Sequence, residues 1–234
     1  MGTGKTKPAW AGIAVASIVL GSGVFAPTPA GAIIGGATAG KTRDTVQVDT
    51  IKADGSLARC SGVLIDDTWV LTAKHCLGPS PSSMTVYAGS LHLNSGYKRG
   101  LKGFTGWSQA DVALLELDQP VPLATPIAPQ AGVYPAVGTN LAASGWGRVA
   151  GGQWPTRLNV ATVRVDEYRI NENHIIHLNL GRGDGIQAHG DSGGPVMDAH
   201  GILHAMTITG DEVATAVAVS LADKNLQDWL VSKT

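Results

Sequence analysis

The stretch Gly190-Asp191-Ser192-Gly193-Gly194-Pro195 sets a hydroxyl nucleophile among closely spaced backbone amides that can hold a developing oxyanion. A serine hydroxyl keeps its proton at neutral pH, so Ser192 needs a base within hydrogen-bond reach. Upstream, Thr72-Ala73-Lys74-His75-Cys76 offers an imidazole, whose ordinary pKa of about 6.5 lets it accept that proton and return it to a leaving group. Asp111-Val112-Ala113-Leu114-Leu115 offers a carboxylate that can select the ring tautomer and stabilise the imidazolium. The order His75, Asp111, Ser192 is one of the few in which this constellation recurs on unrelated folds. The chemistry it predicts is acyl transfer, with peptide hydrolysis foremost.

Short apolar or alternating runs rich in β-branched residues, separated by turn residues, must position these groups, and that pattern predicts an all-β sandwich or barrel. Strands are expected over 45–51, 60–65, 69–73, 84–88, 112–117, 158–165, 195–197, 202–209 and 213–219. Helical periodicity comes only at the end, where residues 222–232 bring Leu226, Trp229 and Leu230 to one face, with Asp223 near the start and Lys233 at the finish. Five prolines between Pro120 and Pro135 make residues 120–135 a linker between two halves.

Residues 1–32 do not read as fold. Lys5 and Lys7 form a basic start, Ala9 to Phe25 an apolar run broken by Gly12, Gly21 and Gly23, and Ala30-Gly31-Ala32 a small-residue cleavage site, the pattern of a secretory signal peptide rather than a membrane anchor. The expected product, residues 33–234, is exported, with no membrane segment after cleavage. The chain has 17 Lys+Arg against 18 Asp+Glu, a formal charge of −1, and loss of the two signal lysines makes it slightly more acidic; this is not the basic footprint of a nucleic-acid binder. Its two cysteines, Cys60 and Cys76, read in an exported chain as one disulfide that would tether His75 through its neighbour.

Together these segments, with Ile33-Ile34-Gly35-Gly36, Cys60-Ser61-Gly62-Val63-Leu64-Ile65 and Ser144-Gly145-Trp146-Gly147, resemble the chymotrypsin/trypsin-like serine peptidases. The single cysteine pair suggests a secreted bacterial type. The resemblance implies two six-stranded antiparallel β-barrels, about 33–119 and 136–220, with the active site in the cleft between them. It implies a secreted serine endopeptidase that needs no cofactor or metal, acts as a monomer on protein or peptide substrates and is open to protein protease inhibitors. By resemblance His75, Asp111 and Ser192 form the catalytic triad, and the amides of Gly190 and Ser192 the oxyanion hole. Asp191 pairs with an α-ammonium on Ile33, which signal cleavage itself would create.

Asp111 follows His75 by a shorter gap than is usual in that family, leaving Asp118 as a competitor. Lys74 stands where a small residue is usual, and its ammonium is expected in solvent. Ile208 and Thr209 replace a serine and a tryptophan, and with Ile186, His189 and Gly210 they are the expected substrate pocket. Ile186 occupies the position of the trypsin-type specificity aspartate, which suggests an apolar or small P1 residue; Asp184 could serve only if the loop shifted by two residues. His174 and His177 have a spacing some metal sites use but no base between them and no helical pattern, so a solvated or hydrogen-bonded pair is expected. His204 is an ordinary polar residue or a second cleft histidine. Gly190-x-Ser192-x-Gly194 also fits an α/β-hydrolase elbow, but that fold needs its acid and histidine after the serine. A protease-like binding protein that keeps the fold without the activity is the remaining alternative.

Overall fold

A computed structural model describes residues 33–42, 44–122 and 132–234. The segment 1–32 read as a signal peptide, and most of the segment 120–135 read as a linker, lie outside them. The described chain forms fourteen strands: β1 Ala37–Thr38, β2 Thr45–Ile51, β3 Leu57–Leu64, β4 Trp69–Thr72, β5 Met84–Ala88, β6 Tyr97–Arg99, β7 Leu101–Gly106, β8 Ala113–Leu117, β9 Asn140–Gly145, β10 Asn159–Ile170, β11 Ile176–Arg182, β12 Pro195–Met197, β13 Leu203–Gly210 and β14 Thr215–Ser220. One helix, α1 Lys224–Val231, ends the chain.

Every pairing is antiparallel, and the strands divide into two sheets. The first runs β6-β5-β2-β3-β4-β8-β7. Its two end strands are consecutive segments separated by Gly100, so the sheet curls until both edges belong to one bent run of chain. The second runs β10-β11-β14-β13-β12-β9 and closes through pairing of β9 with β10, giving a six-stranded barrel; β1 adds at β10. The two-barrel architecture expected from the sequence is therefore present, the second barrel closed and the first curled.

Alternation explains why these runs are strands. In β5, Met84, Val86 and Ala88 are buried while Thr85 and Tyr87 are half-exposed, the period-2 pattern of a sheet with one wet face. The second barrel is filled by Leu141, Val163, Val165, Leu178, Leu180, Val196 and Ile186. In α1, the Asp223 side chain accepts from Leu226 N at 2.9 Å as the N-cap, and Leu226 and Leu230 pack on the cluster that fills the first barrel. Trp229 reaches Trp107 there, with ring centroids 6.3 Å apart.

Candidate active site

His75 sits in a single 3-10 turn, Lys74–Cys76, directly after β4. Asp111 lies two residues before β8, which pairs with β4 from Thr72↔Ala113 onward, so one ladder brings the two residues together. The carboxylate binds His75 twice: Oδ2 lies 2.6 Å from the ring Nδ1, and Oδ1 accepts from the backbone amide at 2.9 Å. Burial pushes the Asp111 carboxyl up, but the hydrogen bonds and charge of His75 outweigh it and hold the group below the ordinary carboxylate range. Asp118 is elsewhere, its amide donating to Gly100 O at 3.0 Å. Lys74 does not point freely into solvent: Nζ donates to Trp107 O at 3.0 Å, and its stem lies over Gly106.

Cys60 and Cys76 form the expected disulfide, with Cα atoms 6.1 Å apart. The group Cys60, His75 and Cys76 is compact enough to hold a metal ion, but both sulfurs are spent on each other.

The loop that carries Ser192 comes from the second barrel. Ser192 shares with His75 and Asp111 the walls of a cleft of about 420 Å³, which Gln187, Ala188, His189, Thr207, Ile208, Thr209, Gly210 and Glu212 complete. The Ser192 hydroxyl donates to Ile208 O at 3.2 Å. Among the described residues nothing accepts from the amides of Gly190 or Ser192. Gly190 has φ +101°, and an added Cβ would stand 2.7 Å from Trp154 Cζ3 and 2.9 Å from Gly147 Cα, so glycine is required there on two counts.

Behind the serine, Asp191 is fully buried. Its carboxylate accepts from Gly147 N at 2.7 Å and Ala188 N at 2.8 Å. Burial nevertheless pushes it up to about 7, with the negative charge of Glu212 adding to the effect and the two amide hydrogen bonds opposing it. Ile33 is fully buried in the second barrel, and its neighbour Ile34 exchanges backbone hydrogen bonds with Ile186 at 2.9 and 3.0 Å.

That exchange corrects the expected pocket. Ile186 does not line the cleft; it is fully buried in the same cluster as Ile33. Adjacent residues of an extended segment face opposite sides, so Gln187 faces the cleft instead. Asp184 is held away too, accepting from Thr162 N at 2.6 Å. His189, Ile208, Thr209 and Gly210 do line the cleft. His204 does not: it is buried, with Nε2 3.2 Å from Asp198 Oδ2. His177 is buried with Nδ1 3.0 Å from Ile175 O, whereas His174 is exposed.

Several contributors escaped the sequence reading. Gln187 and Glu212 are wall residues, and Oε1 of Glu212 accepts from His189 N at 2.8 Å. Ser61, on β3, donates its amide to Ser192 O at 2.8 Å and its hydroxyl to Gly190 O at 3.0 Å, while that hydroxyl accepts from Trp146 N at 2.9 Å. Trp154 packs against Gly190. Only the position of Ser61 beside Cys60 gave any signal.

The family profile described as Trypsin matches residues 33–230. The chain is 36% identical over 151 residues to a serine protease, SP24D, of Anopheles gambiae, covering 58% of this chain and 55% of that protein. It is 32% identical over 177 residues to trypsin Blo t 3 of Blomia tropicalis, covering 62% and 64%. The match thus spans less than two thirds of either relative. Both are animal proteins, and they give no support to a bacterial type. Among solved structures, neuropsin, a serine protease of mouse brain, superposes with a TM-score of 0.71 at 23% identity over 86% of this chain and 99% of that one. A scabies mite inactivated protease paralogue, S-I1, does so with 0.72 at 19% identity over 86% and 100%. No helix among the described residues is long and apolar enough to cross a membrane. With the profile match running from Ile33 almost to the C-terminus over a two-barrel architecture, the chain belongs to the trypsin family.

Proposed function

We propose that the chain is an exported serine endopeptidase that hydrolyses peptide bonds through an acyl-enzyme on Ser192. The observation that carries this reading is the two-point grip of Asp111 on His75 in the cleft that also holds Ser192. With Nδ1–H fixed on the carboxylate, Nε2 is the basic nitrogen available to take the hydroxyl proton as Oγ attacks the substrate carbonyl. The amides of Gly190 and Ser192 receive the oxyanion. The protonated ring then passes its proton to the leaving amine, and water repeats the sequence on the ester. None of these steps calls for a metal or organic cofactor.

The expected apolar P1 preference rested on Ile186 and loses its basis. The wall carries Gln187, Thr207, Thr209 and the carboxylate of Glu212, a set that suits a polar or cationic side chain better. Asp191 is the counter-charge for an α-ammonium on Ile33, created when the leader is removed.

A second reading has one specific observation behind it: the Ser192 hydroxyl is engaged by Ile208 O, and inactivated paralogues share the fold. On that reading the cleft recognises protein without cutting it. Incubation with a fluorophosphonate decides. An adduct on Ser192 that disappears in His75→Ala supports the peptidase; no adduct on well-folded protein beginning at Ile33 refutes it.

A further inference from the structure

The Trp154 ring carries two guanidinium groups close to it, beside the loop that holds Ser192. Arg59 Cζ is 4.8 Å and Arg148 Cζ 5.2 Å from its ring centroid, and the His189 ring is 6.2 Å away. Indole is the best of the aromatic faces for a cation, and arginine is the cation found there more often.

The two arginines differ in one respect. Arg59 is buried and already neutralised: Nε donates to Asp49 Oδ1 at 2.8 Å and Nη2 to Asp49 Oδ2 at 3.2 Å. Arg148 is exposed, and among the described residues no carboxylate or carbonyl accepts from its side chain. Its position is nonetheless fixed, because Arg148 N donates to His189 O at 2.8 Å and the ring supports the side chain. Across the same residue, His189 N donates to Glu212. The backbone of His189 therefore joins a carboxylate that lines the cleft to a guanidinium that stands outside its walls. A positioned guanidinium with its fork unsatisfied is suited to a carboxylate.

We propose that Arg148, seated on Trp154, recognises an acidic side chain among the first three substrate residues on the leaving-group side of the scissile bond. The inference rests on the peptidase reading above. The platform lies against Gly190, outside the pocket walls, so a peptide that fills the pocket and presents its carbonyl to Gly190 N and Ser192 N continues past Trp154. Arg148 touches substrate directly; Trp154 is a positioning residue that keeps the guanidinium flat beside the path.

Quenched fluorescent peptides that differ only in Glu, Gln or Lys at each of these three positions test this on the purified, processed protein. At one position kcat/KM should be roughly three- to fivefold higher for Glu than for Gln at low ionic strength, the scale of an exposed ion pair. The ratio should shrink at about 0.5 M salt. Arg148→Gln should bring the ratio to about one, and Arg148→Glu should invert the order so that Lys is preferred. A ratio near one in the wild type, or one unmoved by Arg148→Gln, overturns the proposal while cleavage and Ser192 labelling leave the peptidase reading standing. No cleavage of any peptide together with no labelling overturns both.

Discussion

Asp191 should make the stability of this chain depend on whether Ile33 carries a free amine. With Ala32 retained, Ile33 is in peptide linkage to it, and the Asp191 carboxyl, fully buried, is pushed up to about 7 from 3.8. The folded protein therefore binds a proton that the unfolded chain releases at pH between those values. Stability on this account is fully present below the unfolded pKa and is lost as pH rises through about 7. Such a displacement corresponds to on the order of 4 kcal/mol at neutral pH, spread over the window from about 4 to 7. An ammonium on Ile33 would supply the missing counter-charge, bring the carboxyl back down and flatten the profile. The test compares a chain beginning at Ile33 with one extended by a single residue, each with and without Asp191→Asn, by urea denaturation from pH 4 to 8. Asparagine loses the charge but meets two amide donors with one acceptor, so the slope with pH is the informative quantity rather than the level. The extended chain should lose stability across the window and its Asp191→Asn variant should not. A slope that is the same with aspartate or asparagine, or no difference between the two N-termini, would refute the reasoning.

Replacing Asp111 by Asn should cut kcat by about 10⁴ with little change in fold, because the ring loses its enforced tautomer; kinetics alongside near-UV circular dichroism check this. Cys60→Ser with Cys76→Ser opens a loop of sequence separation 16 and should cost about 3 kcal/mol, seen as a fall of roughly 6–12 °C in Tm. Gly190→Ala meets Trp154 and an unfavourable φ and should lower kcat by about 100-fold with a smaller effect on KM. Glu212→Gln should reduce the ratio of kcat/KM for Arg over norleucine at P1 by about fivefold at most, since the carboxylate is exposed.

His75, Asp111 and Ser192 stood out because each sits in a run whose type and order are themselves informative, and β4–β8 pairing then sets Asp111 on His75. The strands that were foreseen, such as β2, β5 and β12, are rich in Val, Met and Thr. Those that escaped are poor in such residues: β9 is Asn-Leu-Ala-Ala-Ser-Gly and β7 contains Gly103 and Gly106, and their conformation is imposed by neighbours rather than by propensity. Ile186 was misplaced for a different reason. Side-chain direction in an extended segment alternates, and the side facing the cleft is decided by the pairing of Ile34 with Ile186, a contact 152 residues distant that no local pattern encodes. Trp154 and Arg148 carried no motif at all; their relation to Gly190 exists only once the loop folds back on it.

Strand β3 ties the two barrels together at the candidate site. Consecutive residues on it make opposite commitments: Cys60 is bonded to Cys76, next to His75, and Ser61 holds the carbonyls of both Gly190 and Ser192. The neighbour of His75 is thus tied by a covalent bond, and the Gly190–Ser192 segment by two hydrogen bonds, to positions a single residue apart. A slip of β3 by one residue against β2 would move both ties to the wrong face. The disulfide does more than close a loop on this argument, for it fixes the distance between the 3-10 turn and the strand that carries Ser61. Ser61→Ala should therefore leave the His75–Asp111 pair in place, frees the Gly190 carbonyl and Trp146 amide from a buried partner at a cost of about 1–3 kcal/mol, and should lower kcat more than it raises KM. Stability unchanged by Ser61→Ala, with kcat also unchanged, would show that the nucleophile loop is positioned by the second barrel alone.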